Sequence, residues 1–159
     1  MAKVHHSAIT THDVEASIRF WRDGLGLEVL MDHQFEGPWP ELFGASSTTL
    51  RSVFLGEAAS PESGIVELVG LDPLGPPPGA PSAPAEGFFL LSLYADLDAT
   101  LARLADLGLG GDPTVASVSG VRLAVVHDPN GVAVELMDDS ARHGLKGVVG
   151  AAHERDGGR

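Results

Sequence analysis

The stretch THDVEASIRFWRDGLGL at residues 11–27 returns in altered form as YADLDATLARLADLGL at residues 94–109. Asp13 to Ile18 aligns with Asp96 to Leu101 at an offset of 83. A strand-like run stands before each copy, VHHSAIT at 4–10 and GFFLLSLY at 87–94. Each half closes on the same phrase, Ile65-Val66-Glu67-Leu68 and Ala133-Val134-Glu135-Leu136. A duplicated strand–helix–strands unit makes a pseudo-symmetric fold, which binds ligands at or near its axis. The expected class is α+β, with two tandem βαβββ modules forming curved mixed sheets around a central cleft.

Within the first copy, Asp13 is a helix start signal, because its carboxylate can accept the free N–H groups of the first turn. Val14, Ile18, Trp21 and Leu25 follow at helical spacing and give one apolar stripe. Gly24 and Gly26 end that helix. Strands are expected at 4–11, 28–33, 48–55 and 64–69. The segment EGPWPELFG at 36–44 reads as a loop or lid, because it holds two prolines beside Trp39, Leu42 and Phe43. Those apolar side chains either pack on the body or cover a ligand. The second copy repeats the order: strand 88–94, helix 96–107, strands 113–118 and 121–127, turn Asp128-Pro129-Asn130-Gly131, strand 132–137. Asn-Gly is a hairpin signal. In the second helix Leu97, Leu101, Leu104 and Leu107 make the core stripe.

Between the halves lies LDPLGPPPGAPSAPAEG, with six prolines and little to bury. The expected organisation is a module at 1–70, a Pro-rich linker at 71–86, a module at 87–138 and a frayed tail at 139–159. The net charge of −12 argues against a nucleic-acid partner and against an acidic membrane surface. With no cysteine there is neither a disulfide framework nor thiolate chemistry. No apolar run approaches the roughly 20 residues that span a bilayer. The N-terminus has no signal-like apolar core, since His5 and His6 interrupt it, so a cytoplasmic location is expected.

Glu67 and Glu135 are the first candidates for chemistry. Both sit in strands that are apolar on both faces, where an unpaired carboxylate costs several kcal/mol. They are either functional or structural, in the latter case solvated at sheet edges or paired with Arg51 or Arg122. His6 shares a strand face with Ala8 and Thr10, and His5 is expected to point the other way. One imidazole and two carboxylates make a plausible ligand set for a divalent metal.

The opening HSAITTHDVEASIRFWRDGLGL (6–27) and the close VVHDPNGVAVELMD (125–138) resemble the vicinal oxygen chelate superfamily. That superfamily includes glyoxalases, epimerases, extradiol dioxygenases and the bleomycin resistance proteins. The resemblance covers residues 4–138 and implies metal positions at His6, Glu67 and Glu135, with Glu67 and Glu135 also as catalytic acid or base. Its fourth ligand is a histidine on the first strand of the second module. Counting seven back from Asp96 gives Phe89, with Phe88 or Leu90 one residue away, and none of these binds metal.

Three outcomes follow. Metal (Mn, Fe, Ni, Zn or Mg) is held by His6, Glu67, Glu135 and water. Alternatively His33 joins the set. In the third case no metal binds, and the carboxylates act as acid and base above an aromatic floor. Phe88, Phe89, Trp39, Phe43 and Arg51 are the expected substrate contacts. The resemblance implies a glyoxalase-like lyase, isomerase or epimerase acting on a small carbonyl metabolite. The alternatives are a non-catalytic drug- or metabolite-binding protein and a dioxygenase. A homodimer is expected, because strand-rich half-barrels have edges and apolar faces to cover.

Overall fold

The computed structural model describes residues 3–75 and 86–140. It divides into two compact units, Met1–Ala83 with Asp128–Gly131, and Pro84–His127 with Val132–Arg159. Residues 76–85 of the expected linker and 141–159 of the expected tail lie outside the described residues.

The first unit runs β1 (His6–Thr11), α1 (Val14–Ile18), a π-helical turn (Arg19–Gly24), β2 (Glu28–Glu36), α2 (Trp39–Phe43), β3 (Thr49–Gly56) and β4 (Ile65–Gly70). Its sheet has the order β1-β4-β3-β2. β1 is parallel to β4, and the other pairs are antiparallel. The second unit runs β5 (Leu91–Ala95), α3 (Leu97–Leu107), β6 (Thr114–Val118), β7 (Val121–His127) and β8 (Ala133–Asp138). Its sheet order is β5-β8-β7-β6, again with a single parallel pair, β5 with β8. Each unit is therefore a βαβββ module, with the helix returning the chain so that its first and last strands run parallel at one side of the sheet. No helix among the described residues is long and apolar enough to cross a membrane.

Both helices begin where the sequence places them. Asp13 accepts from the Ala16 N–H at 2.9 Å, and Asp96 from the Ala99 N–H at 3.1 Å. The first helix then departs from the regular stripe. After Ile18 it widens, and the Leu25 N–H bonds to the Phe20 carbonyl, five residues back, at 3.0 Å. The extra residue in the turn brings Phe20 and Trp21 inside together, both fully buried, where a 3.6-residue period selects Trp21 alone. They join Ile9, Val53, Leu55 and Leu68 in the core on the helix side of the sheet. Burying each such side chain stabilises the unit by about 1.5–3 kcal/mol. In α3, Thr100 is buried beside Leu97 and Leu104, while Leu101 and Leu107 are half-buried.

The expected loop at 36–44 contains the short helix α2. Its prolines do not prevent this, because Pro38 and Pro40 lie at the helix start, where a missing N–H breaks no helical bond. Gly44 closes the helix at φ 67°, a left-handed conformation that favours glycine.

The Asp128–Gly131 turn has a second role. The Gly131 N–H bonds to the Asp128 carbonyl at 3.0 Å, which forms the turn. The Asn130 side-chain amide donates to Ser17 Oγ at 3.0 Å, and Ser17 Oγ lies 3.0 Å from Thr11 Oγ1. Thr11 and Ser17 are buried, so these bonds satisfy hydroxyls that would otherwise be costly to enclose.

Helix α1 approaches β4 closely at Gly70. A Cβ there would come within 2.7 Å of Val14 Cγ2, and a β-branched side chain has little freedom to yield. Gly70→Ala is expected to lower stability by about 1–3 kcal/mol through overpacking. The check is a shift of the urea midpoint at unchanged m-value.

Arg51 lies on the helix side of β3. It binds Asp32 through two nitrogens, at 2.8 and 2.6 Å, and Glu15 at 2.8 Å. The hydrogen bonds from Arg51 hold the Asp32 carboxyl below its usual range. A lowered folded-state value contributes stability above the ordinary carboxylate pKa and loses it as pH falls through the lowered one. Arg51→Gln should cost about 0.5–1 kcal/mol at neutral pH, since the groups are partly exposed. The difference from the native chain should shrink progressively below about pH 4 in melts across pH.

Candidate functional site

Strand alternation sorts the first sheet into two faces. Thr11, Val53 and Leu68 look toward the helix; His6, Ala8, Thr10, Ser52, Glu67 and Val69 line a cleft on the opposite face. The cleft has a volume of about 910 Å³, within the usual range for small-molecule sites. Its walls are largely apolar, with Met31, Phe35, Leu50 and Phe54 from the sheet and Trp39 and Phe43 from α2.

Glu67 is the polar centre of that cleft. The parallel register sets Ala8 opposite Glu67, which makes His6 its diagonal neighbour. His6 Nε2 lies 3.1 Å from Glu67 Oε2. Ser52 Oγ donates to Glu67 Oε1 at 2.5 Å. Both carboxylate oxygens are thus held, and the side chain is only 15% exposed. The His6 ring packs on Phe54 with centroids 5.3 Å apart, and its Nδ1 lies 2.9 Å from His5 Nδ1. His5 does not point the opposite way, because β1 begins at His6 and strand alternation does not extend to residue 5.

The basic residues considered as partners for the glutamates hold other acids. Arg51 is bound by Asp32 and Glu15, and Arg122 by Asp98 at 2.7 and 3.0 Å. Arg51 does not line the cleft. It borders a separate shallow hollow with His12, Gln34 and Thr49.

Trp39 is fixed in its place. Its indole N–H reaches the Phe35 carbonyl at 3.4 Å, and its ring lies over Gly37, where a Cβ would come within 2.7 Å of ring carbon. Trp39 and Phe43 stack with planes 5° apart and centroids 5.9 Å apart. Spaced four apart, they share one face of α2. His33 packs edge-on against Phe35, with centroids 4.7 Å apart.

In the second unit Glu135 is half-buried on β8 and accepts from Ser92 Oγ at 2.7 Å. Ser92 stands directly opposite Glu135 in the parallel ladder, as Ala8 stands opposite Glu67. Two residues before Ser92 is Leu90, so the ladder register places Leu90 at the counterpart of His6. Counting from the helix cap points to Phe89 with Leu90 one residue on, because it assumes equal strand-to-helix spacing in both halves. Phe88 and Phe89 precede β5 and are 68% and 62% exposed.

The donor set fits a divalent ion in part. Two ligands about 2.1 Å from one ion at a right angle stand roughly 3 Å apart, and His6 Nε2 and Glu67 Oε2 meet that spacing. Among the described residues no group of three or more His, Cys, Asp or Glu is gathered to hold an ion.

The profile of the Glyoxalase/Bleomycin resistance protein/Dioxygenase superfamily matches residues 3–136. The chain belongs to this superfamily. It is 34% identical over 145 residues to the lactoylglutathione lyase-like protein terB of Aspergillus terreus, covering 84% of this chain and 74% of that one. The trypanothione-dependent glyoxalase I of Leishmania major shares the fold, with a TM-score of 0.67 at 20% identity and full coverage of both chains. So does TnmS3, an antibiotic-binding protein from Streptomyces sp. CB03234, with a TM-score of 0.57 at 20% identity over 87% of this chain and 96% of that one. The shared fold thus carries proteins named for catalysis and for binding, and the choice between them rests on the site.

Proposed function

We propose that this superfamily member is a glyoxalase-like lyase, isomerase or epimerase that moves a proton on a small carbonyl metabolite. Glu67 is the group that carries the proton. The observation supporting this reading most directly is a carboxylate held at both oxygens inside an apolar cleft. Such a group needs little reorganisation to act and faces little competing water. Glu67 takes the proton from the carbon beside the carbonyl; the C–H electron pair becomes a carbon–carbon double bond as the carbonyl π pair moves onto oxygen. In a hydroxy ketone, protonation of the former carbonyl carbon isomerises the substrate as the hydroxyl proton passes to the first oxygen, and protonation of the original carbon from the opposite face epimerises it. His6 orients the carboxylate and Ser52 steadies it. A divalent ion held by His6 and Glu67 would polarise the carbonyl oxygen. Resemblance to a protein named lactoylglutathione lyase-like supports the same class of chemistry.

The test is exchange of the proton beside the carbonyl, followed by NMR in deuterium oxide with a panel of hydroxy ketones. Glu67→Gln is expected to slow exchange by about 10²–10⁴-fold. Equal rates in the variant and the native protein would discard the reading. Thermal melts with Mn, Fe(II), Ni, Zn or Mg test the ion: a bound metal raises the midpoint by mass action, and His6→Ala should abolish the rise. Glu135→Gln in the same assays tests whether the second glutamate is a ligand or a proton carrier.

A second reading is non-catalytic binding of a drug or metabolite. Leu90 at the counterpart of His6, and the stacked Trp39–Phe43 pair, favour it. Tight binding without exchange for any carbonyl compound would select it. A homodimer belongs to either reading, supported by exposed Phe88, Phe89, Val115 and Val118 in the second unit. Light scattering at tens of micromolar should give the dimer mass.

A further inference from the structure

We infer that the cleft of the first unit selects an uncharged, flat, largely aromatic carbonyl compound and discriminates against anionic conjugates. This rests on the cleft being the substrate site. Three observations converge on it.

The first is charge. The charged or titratable side chains lining the cleft are His6, Glu67 and Asp72, and no Lys or Arg lies among the described residues that line it. Arg51, next to Ser52 in β3, is turned to the other face and bound by Asp32 and Glu15. Without a bound ion, a ligand carboxylate entering the cleft would lose water beside two acids, with no Lys or Arg among the described lining residues to replace it. The net charge of −12 adds long-range repulsion.

The second is shape. Trp39 and Phe43 present two nearly parallel rings on one short helix, and Trp39 is anchored by the Phe35 carbonyl and by the absence of a side chain at Gly37. Both rings remain incompletely buried, Phe43 being 70% exposed. Pre-positioned aromatic planes bordering a cavity suit a planar ring system, because little side-chain entropy remains to be lost on stacking.

The third is the polar layout. Glu67, His6 and Ser52 form a single polar cluster against walls from Phe35, Leu50, Phe54 and Val69. The matching ligand has an apolar ring body and one oxygen-bearing end. The volume of about 910 Å³ accommodates a compound of roughly two or three fused rings.

A matched pair of probes tests the inference by calorimetry on the full chain in the presence of a chelator: a naphthyl hydroxymethyl ketone, and the same ketone bearing a ring carboxylate. The neutral ketone should bind at least about tenfold more tightly. Trp39→Ala should weaken it at least about tenfold, while Trp39→Phe, which keeps an aromatic plane, should retain most of the affinity. Glu67→Gln, which removes one negative charge, should narrow the gap between the probes. Equal or tighter binding of the carboxylate, unchanged affinity in Trp39→Ala, or no binding of either compound at millimolar concentration would each overturn it. Proton exchange is read separately on the same protein without the chelator. Selective binding without exchange leaves the ligand class standing and removes the proton-transfer reading. Exchange on an anionic glutathione thiohemiacetal with no preference for the neutral ketone does the reverse.

Discussion

The parallel pairing of β1 with β4 is the constraint on which the first unit depends. Two strands distant in sequence can run parallel only if the intervening chain carries the path back, and α1 with its π-helical turn begins that return. The register then sets Ala8 opposite Glu67 and leaves His6 at the diagonal, near enough for Nε2 to meet Oε2. A slip of β1 by one residue against β4 would turn His6 toward the helix and Ile9 toward the cleft while Glu67 kept its face, and a slip of β4 would do the same to Glu67 and Leu68. The burial of Ile9 and Leu68 therefore holds the polar pair in place.

The second unit uses the same pairing for a different outcome. Its ladder places Ser92 opposite Glu135 and Leu90 where the first unit has His6. The glutamate is kept and again receives a serine hydroxyl, but from the opposing strand β5; in the first unit the serine comes from β3. A serine hydroxyl reaches each carboxylate by a different route, while an aliphatic group stands where the first unit has the imidazole. The two glutamates are related by fold position and differ in surroundings: Glu67 has His6 beside it, and the ladder puts Leu90 at that place in the second unit.

Charge is distributed to match. The arginines near the two sheets are tied to acids on other elements, Arg51 to Asp32 and Glu15, Arg122 to Asp98. They brace strands and helices and leave the cleft without a fixed cation among its described lining. The carboxylate held by His6 and Ser52 is the feature on which the proposed proton transfer rests.

The sequence alone was enough for the doubled strand–helix–strands order, the two aspartate caps and the glutamate closing each half, because these depend on local periodicity, on hydrogen bonding within one helical turn and on a repeated phrase. It also singled out His6, Glu67, Trp39 and Phe43, all of which border the cleft. Other features needed the tertiary structure. Phe20 became core only through a π-turn that no fixed period anticipates, and α2 formed because its prolines fell at the helix start. The role of Ser52 is not legible along the chain because it depends on a cross-strand bond to Glu67, nor is that of Asn130, which bonds to Ser17, 113 positions away. Arg51, counted among the substrate contacts, belongs to the opposite face by strand alternation and is held there by acids from β2 and α1. Leu90 took the counterpart position of His6 in place of Phe89, since ladder register is set by pairing across strands and not by distance from a helix cap. Spacing along a chain determines which residues can share a face; which partner each one meets is decided by the strands that pair beside it.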